Sequence, residues 1–418
     1  MKILYISQHF VPEMGAAAVR VYELSKYWTE MGHNVSVLTT FPNYPHGVLY
    51  PGYKISLNKL ILCEQLDGIR VIRTITFPTH LRSSLRRGLS YTSFFLSAVF
   101  SAFFIKRYDV IIGTSPSLFV GLAGLIISRM KKSRFVFEVR DLWPEVIPAI
   151  GIAGENSLSY KIFDKMASYL YEKCSLIVTV TESFKHEMIT GRGIPSEKIQ
   201  IIENAVDTDL FQPCKSKPEL TDMPGLKNKF LVSYIGTIGY THGVEVILRA
   251  ARVAELRFPN LVFLLIGDGS DKMRLENISR EEKLKNVIFL GQKPREAIPI
   301  YLNASDISLV LSSKQTIFEK TIFAKVFEPM ACGKPIIVGA SGETRDLVVK
   351  KANAGIDFEP ENSQGLIESI AKLYHEPELR RKLGENGRKY IVENYTRKQK
   401  AIDYINILEK VCSNCKAN

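Results

Sequence analysis

The sequence predicts an α/β protein made of two doubly wound domains, each with a mostly parallel sheet. The chain has 418 residues, enough for two or three domains, and its 46% hydrophobic and 23% charged residues are typical of globular proteins. Short apolar runs alternate with amphipathic stretches, the pattern of strand–helix–strand units. The alternation restarts near residue 200. We therefore expect two similar units that face each other across a ligand-binding cleft.

The first domain opens with a predicted buried strand at Lys2–Ser7. A helix is predicted over Gly15–Gly32, because apolar residues recur there at helical spacing and Gly32 stands where a C-cap belongs. The next strand is expected at Asn34–Thr39, before a loop rich in Pro, Asn and Gly. Later strands of this domain are predicted at Val110–Ile112, Arg134–Glu138 and Leu176–Val180.

The second domain follows a polar stretch, Gln212–Lys229, which is expected to be a linker or a surface loop. Its strands are predicted at Phe230–Ile235, Leu261–Ile266, Asn286–Leu290, Ile307–Leu311, Pro335–Val338 and Gly355–Phe358. We place the two domains at residues 1–200 and 201–385. A charged helical segment, 386–418, is expected to pack back across both domains.

The net charge of +12 is concentrated in one region. From Lys54 to Arg134 there are 13 Lys and Arg residues against 3 Asp and Glu. Within it, Leu89–Ile105 has no charge, is flanked by basic residues and is 17 residues long, near the lower limit for crossing a bilayer. We favour a helix at a membrane surface for residues 82–107. A core helix with solvated basic ends and a true membrane span are the alternatives.

Composition and motifs argue against several classes of protein. Six cysteines are too few for a disulfide scaffold, and the C-x-x-C pair of Cys412 and Cys415 has no second pair to complete a metal site. The basic charge is not accompanied by a nucleic-acid-binding motif, so no nucleic-acid partner is expected. The first apolar run is too short for the core of a signal peptide, so we expect a cytoplasmic protein.

Three glycine-bearing turns follow strands of the second domain, at Gly236, Gly267 and Gly291. Glycine after a strand lets the backbone approach a ligand, and the next helix offers free N–H groups to a phosphate. Three such turns at one sheet edge predict a nucleotide site. The chain has neither a Walker lysine motif nor G-x-G-x-x-G, which disfavours P-loop hydrolysis and dinucleotide oxidoreduction.

The segment from Phe318 to Pro335, FEKTIFAKVFEPMACGKP, carries the strongest signal. Lys325 and Glu328 are three residues apart and therefore lie near one face of a helix. Glu328 is suited to accept hydrogen bonds from two ribose hydroxyls, and Lys325 is suited to contact a diphosphate near the helix start. An exposed salt bridge between them explains the spacing equally well.

This segment resembles the donor-binding signature of glycosyltransferase family 4, whose members are retaining, nucleotide-sugar-dependent enzymes of the GT-B fold. Met1–Gly32 is similar to the family's opening strand and glycine loop, and Ile201–Asp207 to its crossing into the second domain. Gly113–Phe119 and Glu138–Glu145 resemble one branch of the family. That branch makes O-antigens, capsules and exopolysaccharides and includes N-acetylfucosamine transferase-like members.

The resemblance implies a retaining transfer without metal or other cofactor. The donor would be a nucleotide sugar, with UDP favoured, and the acceptor a glycan or polyprenyl-diphosphate-linked sugar at the inner face of the membrane. The implied catalytic residues are Lys325, which stabilises the leaving diphosphate, and Asp141, which orients the acceptor or the sugar. A helix N-cap is the alternative for Asp141. The implied donor-binding residues are Gly15, Ala16, Gly236, Thr237, Gly267, Gly291, Lys293, Glu319, Lys325 and Glu328.

Several residues of the first domain keep two interpretations. His9 follows the first strand and is expected to face the cleft, but a structural histidine is equally consistent with its position. Arg140 and Glu145 are equally consistent with structural ion pairs. The loop Thr39–Gly47 is expected to shape the acceptor side.

The chain departs from the family pattern at four positions. Lys320 stands where an acidic residue is common, with Glu319 beside it, and Ala16 replaces a glycine. Thr237 and His242 stand where the family often has Arg and Lys on the diphosphate. These changes leave a non-catalytic partner of a polysaccharide assembly complex as one alternative. A non-hydrolysing nucleotide-sugar epimerase is another, although a convincing set of acid and base residues is missing.

Overall fold

The computed structural model shows two compact units. The first comprises residues 1–203 and 397–418, and the second comprises residues 204–396. The structure describes residues 1–44, 47–55, 60–78, 84–149, 154, 156–214, 218, 220 and 223–413. The first boundary lies close to the expected one at residue 201. Residues 386–396 belong to the second unit and not, as expected, to a separate C-terminal segment.

One sheet of eight strands forms the described part of the first unit. The strands are β1 (Lys2–Ile6), β2 (Asn34–Thr40), β3 (Ile61–Leu66), β4 (Ile69–Thr74), β5 (Val110–Thr114), β6 (Arg134–Val139), β7 (Leu176–Thr179) and β8 (Ile199–Ile201). Their order is β3-β4-β2-β1-β5-β6-β7-β8, and only the β3–β4 pair is antiparallel. The central strands are continuous apolar runs because helices cover both faces of a parallel sheet.

The β3–β4 hairpin is absent from the sequence-based prediction. Its turn consists of Asp67 and Gly68, and both have positive φ, 48° and 77°. Asp-Gly between two alternating strands is a strong hairpin signal because a type I′ turn needs positive φ at both central residues. The signal was present, but the charged residues in both strands weaken their apolar pattern.

Six helices connect the strands of this sheet within the described residues. They are α1 (Ala16–Glu30), α2 (Ser84–Ser101), α3 (Leu118–Lys131), α4 (Val146–Ala149), α5 (Leu158–Lys173) and α6 (Glu182–Arg192). The starts of α5 and α6 follow from their sequence, since Ser157 and Thr181 accept hydrogen bonds from the N–H groups of Tyr160 and Phe184.

Helix α2 has two apolar faces. Phe94 and Ala98 are buried in the core, and the short 3-10 helix Ala102–Phe104 continues the segment. Apolar side chains are exposed on the other face, at Leu89, Leu96 and Phe100 of α2 and at Phe103 and Phe104 of the 3-10 helix. A search of the described residues finds no helix with the length and apolar character needed to span a bilayer. Arg82, at the start of the predicted surface segment, lies outside the described residues.

The second unit contains a six-stranded parallel sheet in its described part. The strands are β9 (Phe230–Ile235), β10 (Leu261–Ile266), β11 (Val287–Gly291), β12 (Ile307–Leu311), β13 (Ile336–Gly339) and β14 (Gly355–Asp357). The order β11-β10-β9-β12-β13-β14 is that of a doubly wound sheet, with the topological switch point between β9 and β12. Ligands bind such sheets beyond the carboxyl ends of the strands.

The helices of the second unit separate its strands as the alternation predicts. They are α7 (Glu245–Arg257), α8 (Lys272–Glu281), α9 (Ile298–Ala304), α10 (Phe327–Ala331), α11 (Glu343–Arg345), α12 (Ser363–His375) and α13 (Pro377–Asn394). The last helix of the chain, α14 (Arg397–Ser413), belongs to the first unit. It packs on α1, where Trp28 Nε1 donates to the Ala401 carbonyl at 2.9 Å and the Trp28 ring meets Tyr404 edge-on.

Candidate functional site

The three predicted glycine turns meet at the carboxyl edge of the second sheet. Gly236 follows β9, Gly267 follows β10, and Gly291 is the last residue of β11. The N–H of Gly236 donates to the Ile266 carbonyl and that of Gly267 to the Gly291 carbonyl, both at 2.9 Å. Gly267 has φ of 144°, and a Cβ there would collide with the carbonyl of Gly236. Glycine is therefore required by the close packing of the turns themselves.

Lys325 lies against this edge at the topological switch point. It belongs to a short 3-10 helix, Ala324–Val326, directly before α10. Its Nζ donates to the carbonyl of Leu311, the last residue of β12, at 2.6 Å and to the Tyr234 hydroxyl at 3.3 Å. A Cβ placed on Gly236 would lie 3.7 Å from Lys325 Cδ. The side chain of Lys325 therefore lies between the end of β12 and the first glycine turn.

The surroundings of Lys325 disfavour its charge. Its Nζ lies 4.9 Å from the ring centroid of Tyr234 and 5.2 Å from that of Phe323. Burial lowers the pKa of Lys325 to about 7. The described residues place no carboxylate in an ion pair with it. An anionic ligand at this edge would restore the ordinary preference for the charged form.

His242 lies near Lys325 and stays neutral. Burial, followed by the positive charge of Lys325, lowers the pKa of His242 to about 3. Its Nδ1 lies 3.2 Å from the Thr241 hydroxyl. Unlike the lysine common in the family, this side chain supplies no positive charge near neutral pH.

The remaining predicted residues of the second unit take different positions. Thr237 is exposed on the first glycine turn, and Lys293 lies two residues beyond β11 with its Nζ 5.8 Å from the Tyr301 ring centroid. Glu319 is exposed in the 3-10 helix Thr316–Lys320. Glu328 is the second residue of α10, one helical turn after Lys325, and is partly buried.

The carboxyl edge of the first sheet contains a buried ionic network that the sequence analysis did not predict. Glu138, near the end of β6, accepts hydrogen bonds from Arg20 Nε at 3.1 Å, from Arg20 Nη2 at 3.0 Å and from the Tyr5 hydroxyl at 2.6 Å. Arg20 also donates to the carbonyls of Ile202 and Glu203. Burial alone would raise the pKa of Glu138, but Arg20 holds it below its ordinary value.

Asp141 lies just beyond this network, in the loop after β6. The Ser115 hydroxyl accepts the N–H groups of Arg140 at 2.8 Å and Asp141 at 3.3 Å. Burial raises the pKa of Asp141 against the opposing effect of Arg140. The nearest helix, α4, begins at Val146, so Asp141 does not cap it and the N-cap interpretation is wrong.

Gly15 and Ala16 stand at the start of α1. Gly15 is its N-cap residue and Ala16 its first residue. The φ of Gly15 is 169°, an extended conformation open to any residue, and a Cβ there would meet no atom within 4 Å. The protein itself therefore does not require glycine at this position, and the space beside it is open.

Several polar residues of the first unit are structural. His9 Nδ1 lies 2.8 Å from Glu13 Oε2, and Glu13 Oε1 accepts the N–H groups of Asn43 and Tyr44. This arrangement fixes part of the predicted acceptor loop Thr39–Gly47, of which residues 45 and 46 lie outside the described set. Glu145 pairs with Arg192 at 2.6 Å, as the structural interpretation of that glutamate predicts.

The structure describes one cysteine of the C-x-x-C pair, and a search for metal-binding clusters covers the same described residues. No group of three or more His, Cys, Asp or Glu side chains suited to hold a metal ion occurs within the described part of the chain. Cys412 is partly buried near the end of α14, whereas Cys415 lies outside the described residues.

Comparisons with known proteins give the class. A model described as glycosyltransferase family 4 matches residues 17–210, and a model described as group 1 glycosyl transferases matches residues 217–390. Together the two matches cover most of both units. The chain is therefore a glycosyltransferase, and it belongs to glycosyltransferase family 4.

Curated relatives match over most of the chain. A putative colanic acid biosynthesis glycosyl transferase, WcaI of Escherichia coli, is 25% identical over 384 residues, covering 88% of this chain and 91% of that protein. A probable glycosyltransferase, WbjE of Pseudomonas aeruginosa, is 24% identical and covers 66% of this chain and 71% of its own.

Solved structures establish the GT-B fold. Sucrose-phosphate synthase from Thermosynechococcus elongatus has a TM-score of 0.78 at 18% identity and covers 99% of both chains. Anabaena HepE, solved with UDP and glucose, has a TM-score of 0.70 at 19% identity, covering 98% of this chain and 99% of its own. The lipopolysaccharide glycosyltransferase WaaG has a TM-score of 0.69 at 14% identity, covering 97% of this chain and 99% of its own. The expected fold class is therefore confirmed.

Proposed function

We propose that this protein transfers a sugar, with retention and without a metal, from a UDP-sugar to a glycan carried on a polyprenyl diphosphate. The step belongs to the biosynthesis of a cell-surface polysaccharide. The observation that carries the proposal is Lys325, which has no ion-pair partner among the described residues and lies at the switch point of a glycine-lined sheet edge.

The donor assignment follows from the chemistry of that edge. The turns at Gly236, Gly267 and Gly291 carry no side chains, and a Cβ at Gly236 or Gly291 would meet no atom closer than 3.7 Å, so a diphosphate has room to approach beside these two. Lys325 supplies the positive charge, and Glu328, one turn later, supplies carboxylate oxygens for ribose hydroxyls. The relative HepE was solved with UDP-glucose, which supports UDP as the nucleotide.

The same lysine explains the chemistry of transfer. When the bond from sugar to phosphate breaks, negative charge grows on the departing diphosphate. A charged amine held at a fixed place stabilises this charge more in the transition state than in the ground state. Asp141 of the first unit orients the acceptor hydroxyl in our proposal. In this proposal no metal is needed, because Lys325 and backbone N–H groups stabilise the charge on the departing diphosphate.

The acceptor proposal rests on the surface of α2 and of the 3-10 helix Ala102–Phe104 that follows it. Five apolar side chains project into solvent there, including Phe103 at 69% and Phe104 at 65% exposure. Exposed Arg86 precedes them, and Lys106 and Arg107 follow them. An apolar strip between basic residues fits a bilayer surface with anionic head groups. We propose that this surface holds the enzyme where lipid-linked acceptors are found.

The relatives support the biological role. WcaI is named for colanic acid biosynthesis, and CapM of Staphylococcus aureus, 26% identical over 258 residues, for capsular polysaccharide biosynthesis. One observation favours the non-catalytic alternative. His242 is neutral and Thr237 carries no charge, so Lys325 is left to bind the diphosphate with fewer cations than in many relatives.

Thermal stabilisation by nucleotides tests the proposal. UDP, GDP, ADP, CMP and their common sugars would be added to the wild type, Glu328→Ala and Glu296→Ala, an exposed control in the same unit. Binding to the folded state raises the melting temperature. We expect UDP compounds to raise the melting temperature of the wild type and of Glu296→Ala, but not that of Glu328→Ala. No stabilisation by any nucleotide would contradict the proposal and favour the non-catalytic partner.

A further inference from the structure

The guanidinium of Arg140 is partly buried, and two of its three nitrogens have no hydrogen-bond partner among the described residues. Arg140 is the first residue after β6, and these two nitrogens, Nε and Nη1, are themselves buried. A guanidinium stays protonated in proteins, so burial without a partner is costly. Such a group in a folded protein calls for an explanation, and an absent ligand is one.

The neighbouring acidic groups form no hydrogen bond with Nε or Nη1 of Arg140, although the charges of Glu138 and Asp141 act to raise its pKa. Both oxygens of Glu138 are already engaged, one by Arg20 and the other by Tyr5. Asp141, the next residue, forms no ion pair with Arg140 in the described structure. Burial lowers the pKa of Arg140, whereas the pKa of the paired Arg20 is raised. The two arginines at this edge are therefore in different states, one satisfied and one not.

A second unpartnered group follows the end of the neighbouring strand, β5, which pairs with β6. Ser117 is the N-cap residue of α3, but its side chain makes no capping hydrogen bond. Ser117 is 5% exposed, and its Oγ has no partner among the described residues. Ser115, two residues earlier, accepts the N–H of Arg140, which ties the start of α3 to the end of β6. The N-terminus of this 14-residue helix adds free N–H donors.

An unpartnered arginine nitrogen is not enough to mark a site. Arg134, the first residue of β6, also has a buried Nε without a partner. It lies at the amino end of the strand, away from the edge where α/β sheets bind ligands. Arg140 differs in having two such nitrogens, in lying at the carboxyl end and in its link to α3.

We propose that Arg140, together with Ser117 and the N-terminus of α3, binds a phosphate group of the acceptor substrate. The groups are all donors, and the guanidinium fork matches two oxygens of one phosphate. The inference rests on the proposed function, because a polyprenyl-diphosphate-linked acceptor brings such a phosphate. The donor diphosphate is assigned to Lys325 in the other unit, so Arg140 acts on the second substrate.

Calorimetric titration of the full chain distinguishes binding of the acceptor phosphate from binding of the donor diphosphate. Geranyl diphosphate serves as the acceptor probe and UDP as the donor probe. Arg140→Gln removes the charge, Arg140→Lys keeps it without the fork, Ser117→Ala removes the hydroxyl, and Arg134→Gln is the matched control. We expect Arg140→Gln to weaken geranyl diphosphate binding about tenfold or more, since hydrogen bonds to charged groups are strong. Arg140→Lys should recover part of this loss, and Ser117→Ala should lose a few-fold.

Two further readouts, the unliganded melting temperature and the UDP affinity, distinguish binding from a structural role. The melting temperature of unliganded Arg140→Gln should equal or exceed that of the wild type, because the unpaired charge is gone. UDP affinity should be unchanged in all four variants. A lower melting temperature with unchanged binding, an equal loss in Arg134→Gln, or a loss confined to UDP would each overturn the inference. Failure of the wild type to bind UDP would instead count against the proposed function.

Discussion

The carboxyl edges of the two sheets hold their charges in different ways. At the first edge, Arg20, Glu138 and Tyr5 form a buried network in which the hydrogen bonds are made within the protein. At the second edge, glycine turns expose backbone, and Lys325 donates only to a carbonyl and a phenol. The first arrangement stabilises the fold, whereas the second, in our proposal, keeps a charge available for a ligand.

The two edges also differ in how their charges affect stability and ligand binding. The desolvation cost of a buried charge is offset by its partner. Removing the partner strongly destabilises the protein, because the remaining charge is then buried without compensation. A buried lysine without an acidic partner weakens the folded state, and we propose that Lys325 is retained for the anion it binds. Substitutions of Arg20 at the first edge and of Lys325 at the second should therefore have opposite effects on stability and activity.

The largest expected effect is from breaking the first network. Arg20→Met leaves Glu138 buried and unpaired, and should destabilise the first unit by about 3–5 kcal/mol. Trp28 and Trp143, the two tryptophans of the chain, both lie in the first unit, so tryptophan fluorescence during urea unfolding reports on it. Lys173→Met, which breaks the exposed pair with Glu172, is the control and should shift the midpoint little. Equal midpoints for the two variants would show that the network does not stabilise the unit.

The second prediction is a loss of activity without a loss of stability at the second edge. Lys325→Met should lower kcat/KM by about 100- to 1,000-fold, the usual effect of removing one group that stabilises transition-state charge. Its unliganded melting temperature should not fall, because a poorly accommodated charge is replaced by an apolar side chain. Lys314→Met, an exposed lysine paired with Glu359 in the same unit, should keep full activity. Loss of stability with retained activity would reverse the assignment.

The third and smallest effect concerns the exposed face of α2. The rings of Phe100 and Phe104 lie 5.4 Å apart, so these side chains form one apolar surface. Replacing Phe103 and Phe104 by Ser should reduce binding to anionic lipid vesicles about tenfold in a sedimentation assay, with soluble-donor binding unchanged. Leu158→Ser with Ile162→Ser removes two exposed apolar residues from α5 as a control. Equal binding by both double variants would contradict a specific membrane surface.

The sequence predicted the second unit better than the first. Its strands, such as FLVSYI in β9 and LVFLLI in β10, are continuous apolar runs that end at glycine, so strand and turn are both visible locally. Lys325 and Glu328 were visible from their spacing. The packing of Lys325 on Tyr234, 91 residues earlier, was not, because the sequence does not show which distant side chains a fold brings together.

The first unit shows why prediction fails for long-range pairs and weak boundaries. Arg20 and Glu138 are 118 residues apart, and a single charged residue inside the run FVFEV gives no indication of its partner. The start of the last segment was misplaced because α13 and α14 are both charged helices. Only Tyr395 and Thr396 separate them, so the composition does not change at the boundary between the units.

The most direct test of the account is the pH dependence of UDP binding. Burial lowers the pKa of Lys325 to about 7 in the free protein, and a bound diphosphate should raise it. Above about pH 7 the lysine must then take up a proton to bind, so affinity should fall by up to about tenfold per pH unit. Calorimetry between about pH 7 and 9 should show this fall in the wild type and a flat profile in Lys325→Met. A flat profile in the wild type, or the same slope in Lys325→Met, would contradict the claim that Lys325 holds the donor diphosphate.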